Sequence, residues 1–197
     1  MARLQEILAS LNLKKSVEIV NQLDESGYTM LHSSAYYNSF KIAEIIVNFF
    51  KKSFGTYLRL KYLKKNNLPR NTQSIERKEV ENIKKQVQKV VQDWVNYPSK
   101  GEEGFFALHF ASFHGNSKMI KLFIQCGADF KVKNQQGINM LHVAAQGDQA
   151  YSLTYFKLRG LDLHETDAEN STPLHWASFA GSDTAIYYLL AWNLDVN

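Results

Sequence analysis

Cysteine occurs once in the 197 residues, at Cys126. A lone thiol closes no internal disulfide, and no CxxC pair is present to hold structural zinc. A reducing, cytoplasmic compartment fits best. Long apolar runs are missing too. The longest, IAEIIVNFF and AIYYLLAW, are far shorter than the roughly 20 residues that span a bilayer, so the chain reads as soluble. The N-terminus, MARLQEILASLNLKK, carries charge throughout and lacks the continuous apolar stretch of a signal peptide. There is no Gly-rich phosphate loop, no HExxH and no GxSxG. The expectation is no catalytic residue, no metal site and no cofactor.

Aromatic residues, by contrast, are plentiful, with 12 Phe, 10 Tyr and 3 Trp in a chain that is 45% apolar. That composition supports a sizeable core and excludes a disordered chain. The net charge of +4 conceals an asymmetry. Residues 51–100 hold 13 Lys and Arg against 4 Asp and Glu, while the rest of the chain is net acidic. The basic character belongs to one block.

The chain repeats itself. FFALHFASFHG, INMLHVAAQGD and STPLHWASFAG place His109, His142 and His175 at intervals of 33 residues, each after a Leu and two places before an Ala. Gly104 and Gly137 precede them at the same spacing. Asn170 takes that place in the last copy, where its tolerance of positive φ suits it to the same turn. An earlier copy contains Gly27, Thr29, Leu31, His32 and Ala35. Downstream of each His, apolar residues recur at helical spacing, as in Met119, Ile120, Leu122 and Phe123. No single unit could bury that face alone; stacking covers it.

These residues resemble the ankyrin repeat, whose TPLHxA signature is matched in full by TPLHWA at 172–177. The resemblance implies an all-α solenoid, each repeat a turn or short β-hairpin tip followed by two antiparallel helices. Thr172 is expected to cap the first helix and Pro173 to open its first turn. The organisation expected is a divergent helical cap at 1–23, repeats at 24–50, 101–133, 134–166 and 167–197, and an insertion at 51–100. The four repeat histidines then stack about 10 Å apart, the spacing of packed helices, and are read as structural. His114 and His164 have no partner at ligand spacing.

The insertion divides in two. KKSFGTYLRLKYLKKNNLPRN is basic and aromatic and ends in turn residues. IERKEVENIKKQVQKVVQDWVNYP reads as one helix stopped by Pro98. Val80, Ile83, Val87, Val90 and Trp94 follow 3–4–3–4 spacing, an a/d seam. Two readings are open: a partner-binding or coiled-coil helix, or a stripe packed on the repeats. The basic block is either a solvated face or a surface for acidic membrane. Nucleic acid is disfavoured because no reading motif accompanies the charge.

A binding surface can be drawn from the repeat pattern. In ankyrin repeats the tip and the exposed side of the first helix line a concave face. Its variable positions here include Tyr28, Tyr36, Tyr37, Glu102, Glu103, Phe105, Phe113, His114, Gln135, Gln136, Ile138, Gln146 and Phe179, with Trp176 beside them. Large apolar side chains at positions expected to be exposed point to a protein interface, centred on repeats two to four. Glu102, Glu103 and Glu169 on its lip would suit a partner segment with basic character.

Residues 137–197, in the run LHVAAQGD…YF…G followed by STPLHWASFAGS, also resemble the ankyrin domains of DHHC-type protein S-acyltransferases. That resemblance implies a substrate-recruiting domain at the cytosolic face of a membrane, with Trp176 helping to hold an extended peptide. It carries no catalytic role over, because the DHHC motif, the zinc-binding cysteines and the membrane spans are not in this sequence. The other reading is a stand-alone scaffold or a subunit of a large assembly, docked through residues 51–100. Of Ile186, Tyr187, Leu190 and Trp192 on the last repeat, some are expected to lie uncovered, which implies either further repeats in a longer protein or a partner packed there.

Overall fold

A computed structural model describes residues 22–70, 72 and 75–192. The cap expected at 1–23 lies outside these residues except for its last two, as do residues 193–197. Nine helices occur among the described residues: α1 (Met30–Tyr36), α2 (Phe40–Lys65), α3 (Arg77–Val95), α4 (Ala107–Phe113), α5 (Ser117–Gln125), α6 (Met140–Gln146), α7 (Ala150–Lys157), α8 (Pro173–Ala180) and α9 (Asp183–Ala191). Four antiparallel pairs, α1/α2, α4/α5, α6/α7 and α8/α9, stack in order, with α1, α4, α6 and α8 adjoining one another.

Each pair is opened by a tip and a short inner helix, and the local chemistry repeats. Asp24, Asn134 and Asp167 each use Oδ1 to accept two backbone N–H groups of their own tip. Asn170 adopts φ +61°, doing for the last tip what Gly137, at φ +77°, does for the one before. Backbone bonds join neighbouring tips: Gln135 N–H to the Glu103 carbonyl at 3.1 Å and Ala168 N–H to the Gln136 carbonyl at 2.8 Å. Gly147, at the end of α6, approaches its neighbour so closely that a Cβ there would lie 2.0 Å from the Phe113 carbonyl oxygen.

The repeat histidines tie the stack together. The backbone N–H of Thr29, Phe106, Asn139 and Thr172 donates to Nδ1 of His32, His109, His142 and His175, at 3.2–3.3 Å. Nδ1 is therefore the acceptor and Nε2 carries the proton. His32 Nε2 donates to the Phe105 carbonyl, His109 Nε2 to the Ile138 carbonyl and His142 Nε2 to the Ser171 carbonyl, all at 3.1 Å. All four rings close their own helix start, and those of His32, His109 and His142 also reach into the following repeat. At the last helix the Thr172 hydroxyl turns to His175 Nδ1, 2.9 Å away, rather than to a backbone amide.

Between inner and outer helices runs a continuous core holding Phe50, Phe123 and Phe156 with Met119, Ile120, Leu141 and Leu153. Full burial of each such side chain contributes roughly 1.5–3 kcal/mol. At the last repeat Tyr187 and Leu190 are exposed, as expected. Ile186 and Trp192 are half-buried, because Trp192 packs on Tyr188 and lies under Lys157.

The insertion begins without a break in the helix of the first repeat. The outer helix of the first repeat continues through Lys65 as one 26-residue helix, about 39 Å long. No proline falls between Phe40 and Asn66, and at Gly55 a Cβ would lie 3.7 Å from Val87 Cγ2, an ordinary packing contact. α3 returns antiparallel along it. Trp94 packs against Phe50 at 4.8 Å between ring centroids, and Val91 and Val95 are buried. Val87, Val90 and Ile83 are half-buried, and Val80 at the far end is exposed. The seam lies against α2. Asn96 then pins the hairpin's base to the second repeat, donating to the Gly127 carbonyl at 2.8 Å and accepting from Asp129 N–H at 2.7 Å.

Burial holds the pKa of His32 and His109 down to about 4, although their carbonyl partners act the other way. Both titrate near 6.5 when unfolded. The unfolded chain therefore takes up protons first as pH falls, and stability, complete above about 6.5, is lost progressively toward 4. The melting temperature should fall steeply between pH 6.5 and 4.5, and the fall should be shallower in His109→Gln. At neutral pH His109→Ala should cost about 3 kcal/mol by urea titration, because it strands two buried backbone groups. His175→Ala, at an exposed site, should cost under about 1 kcal/mol.

Candidate protein-binding surface

The inner helices and tips place the sequence-selected side chains on one side of the stack, in two groups. The first spans repeats one and two. Tyr28, Tyr36 and Phe105 converge on Phe110, with ring centroids 5.5, 5.6 and 5.7 Å from it. Tyr37 stands edge-on to Tyr36 at 5.1 Å. Phe113 pairs with His114, whose Nε2 donates to the Tyr36 carbonyl at 2.8 Å, a bond between the ends of two inner helices. Tyr36 and Tyr37 remain 50% and 74% exposed, so the cluster is supported from below and open above.

Glu102 and Glu103 stand exposed on the adjoining tip, and Gln135 and Gln136 on the next. Burial first, then the charges of Glu103 and Asp24 with Tyr36 between them, push the Tyr28 hydroxyl above its ordinary pKa. The rim of this aromatic patch is acidic.

The second group lies on repeat four. Trp176 Nε1 donates to Asp167 Oδ2 at 2.8 Å, which fixes the indole across the inner face, edge-on to His142. Partial burial works to raise the Asp167 pKa, but hydrogen bonds from Trp176, Ser171 and Glu169 outweigh it and hold the carboxyl below its usual range. Trp176, Asp167, Glu169, His175, Gln146 and Phe179 line an open groove. Phe179 is 91% exposed.

One selected residue does not reach the surface. Ile138 is 2% exposed. Its N–H is held by Asn134 Oδ1 and its carbonyl by His109, which turns the side chain inward between tips. Gln146 is half-buried, with its carbonyl accepting from Ser182 Oγ at 3.0 Å. Phe110, the hub of the first group, was not selected. It follows the repeat histidine as Trp176 does, and that equivalence was the signal that could have found it. The aromatic concentration therefore falls on repeats one and two, with a separate pole at repeat four, rather than being centred on repeats two to four.

A family model for ankyrin repeats (three copies) matches residues 86–197, more than half of the chain. The chain belongs to the ankyrin-repeat family. A comparison with curated proteins finds no match. Ankyrin-repeat domains are protein-binding modules and are generally non-catalytic. Among the described residues no helix is long and apolar enough to cross a membrane.

The two aromatic groups differ in what they carry. Phe110→Ala should lower stability by about 2–4 kcal/mol, because the rings of Tyr28, His32, Tyr36 and Phe105 pack on it. Phe179→Ala, at a site open to solvent, should change stability by less than about 0.5 kcal/mol. Thermal or urea denaturation of the two variants checks the contrast.

Proposed function

We propose that this ankyrin domain binds an extended partner segment along its concave face, anchored by the Tyr36–Tyr37–Phe113 patch at one end and by Trp176 and Phe179 at the other. The observation that carries the reading is the pairing of strong exposure with rigid support. Tyr36, Tyr37 and Phe179 hold large apolar surface in water, while hydrogen bonds fix the groups beside them. Exposed aromatic side chains held in place are the anchors that dominate protein interfaces. Glu102, Glu103, Asp167 and Glu169 near both ends favour a partner with basic residues, by electrostatic complementarity.

Within this reading, the resemblance of residues 137–197 to the ankyrin domains of DHHC-type S-acyltransferases supports a substrate-recruiting role. In this reading Trp176 lies against the bound chain. The acyl-transferring cysteine of such an enzyme would lie outside the present sequence. A scaffold docked through residues 51–100 is the competing reading, and it differs in where a partner would sit.

Selection of peptides from a displayed library on the immobilised protein tests the proposal. Selected binders should lose roughly thirtyfold or more in affinity on Trp176→Ala, and a similar amount on Tyr36→Ala with Tyr37→Ala, while melting temperature holds. Binders that ignore both changes and instead require the seam of α3 would overturn it.

A further inference from the structure

The far end of the insertion hairpin has a surface that the concave face does not account for. α2 leaves the repeat core after Phe50 and runs on to Lys65, a further 15 residues, or about 22 Å. α3 begins at Arg77 and returns beside it. The hairpin therefore projects outward and brings the C-terminal end of α2 together with the N-terminal end of α3.

Cations gather at that end. Lys61, Lys64 and Lys65 close α2, Arg70 lies in the connection, and Arg77 and Lys78 open α3, with Glu76 and Glu79 the acidic residues among them. Among the described residues none of these six cations lies within ion-pairing distance of a carboxylate; in the insertion, only Lys84 does, with Glu81 at 3.8 Å. Lys64 and Lys65 suit the negative end of a helix dipole. Arg77 and Lys78 sit at the positive end of one, where helix stability favours the opposite charge. Stability of the hairpin does not explain them.

Between the helix ends sits Leu68, 40% exposed, its N–H tied to the Leu63 carbonyl at 2.9 Å. An exposed aliphatic residue in a connection flanked by cations on both helix ends matches the layers of an anionic bilayer surface, where Lys and Arg meet headgroups and an apolar side chain enters below them. A nucleic-acid backbone gains nothing from Leu68, and no base-reading element accompanies it.

We propose that the tip of this hairpin docks on anionic membrane, holding the ankyrin stack away from the bilayer. The proposal does not depend on the concave face binding a partner. It is tested by co-sedimentation of the purified chain with vesicles of phosphatidylcholine alone or containing phosphatidylserine. Binding is expected only with the anionic lipid and should be abolished by molar salt. Combined Lys64→Gln, Lys65→Gln, Arg77→Gln and Lys78→Gln should weaken it by about a hundredfold or more, at about tenfold or less per charge. Leu68→Ser, which leaves the charge intact, should weaken it several-fold.

Equal binding to neutral vesicles, binding unchanged by both sets of substitutions, or release of the protein from anionic vesicles by an equal charge of duplex DNA would overturn the proposal. If the fourfold variant does not fold by circular dichroism, the salt dependence and Leu68→Ser decide it. Phe179→Ala should bind vesicles as the unaltered chain does, so failure here and failure of the groove reading are separable.

Discussion

The buried histidine of the first three repeats, His32, His109 and His142, is the contact on which the rest of the structure depends. Its ring is held between a backbone N–H of its own helix start and a carbonyl of the next repeat, and it must be neutral with the proton on Nε2 to serve both. Burial enforces that neutrality at His32 and His109, because a charged imidazolium would lose its hydration there. One side chain thus satisfies two backbone groups that would otherwise be stranded, and it fixes the register of adjacent repeats. Tip-to-tip backbone bonds add to the same alignment at the outer rim.

Rigid register is what makes the concave face usable. Tyr36 and Trp176 stand near opposite ends of a stack whose repeats cannot slide past one another. The Asp167–Trp176 and His114–Tyr36 bonds then fix local orientation. A partner would meet a surface already organised, which reduces the entropy lost on binding. The insertion lies outside this order. It has no repeat histidine, and its stability comes from α3 lying along α2, with Trp94 against Phe50, and from Asn96 at its base. Charge and apolar tip are consequently free to serve something other than the stack.

The repeat was legible because its requirements are local. A turn that needs positive φ selects Gly or Asn, and a helix start that needs its N–H groups satisfied selects Thr or Asn with His three residues on. The 33-residue spacing follows once those units stack. Asn170 could be read as a glycine substitute from its chemistry alone. The binding surface was legible only in part. Ile138 occupies a position that is often exposed, yet the bonds on its own backbone turn it inward. Phe110 became the hub of an aromatic cluster because Tyr28, Tyr36 and Phe105 come from three different segments, and no local pattern reports that meeting.

By itself, the amino-acid sequence determined the all-α repeat architecture, the structural role of the four repeat histidines and the concentration of basic charge in residues 51–100, because each follows from residue types at fixed short spacing. Only the tertiary structure decided where the aromatic side chains gather, that α2 runs unbroken past residue 50, and that the seam of α3 turns onto α2. Those outcomes depend on which surfaces meet after the chain has folded back on itself, and burial of apolar area between distant segments has no signature at short range.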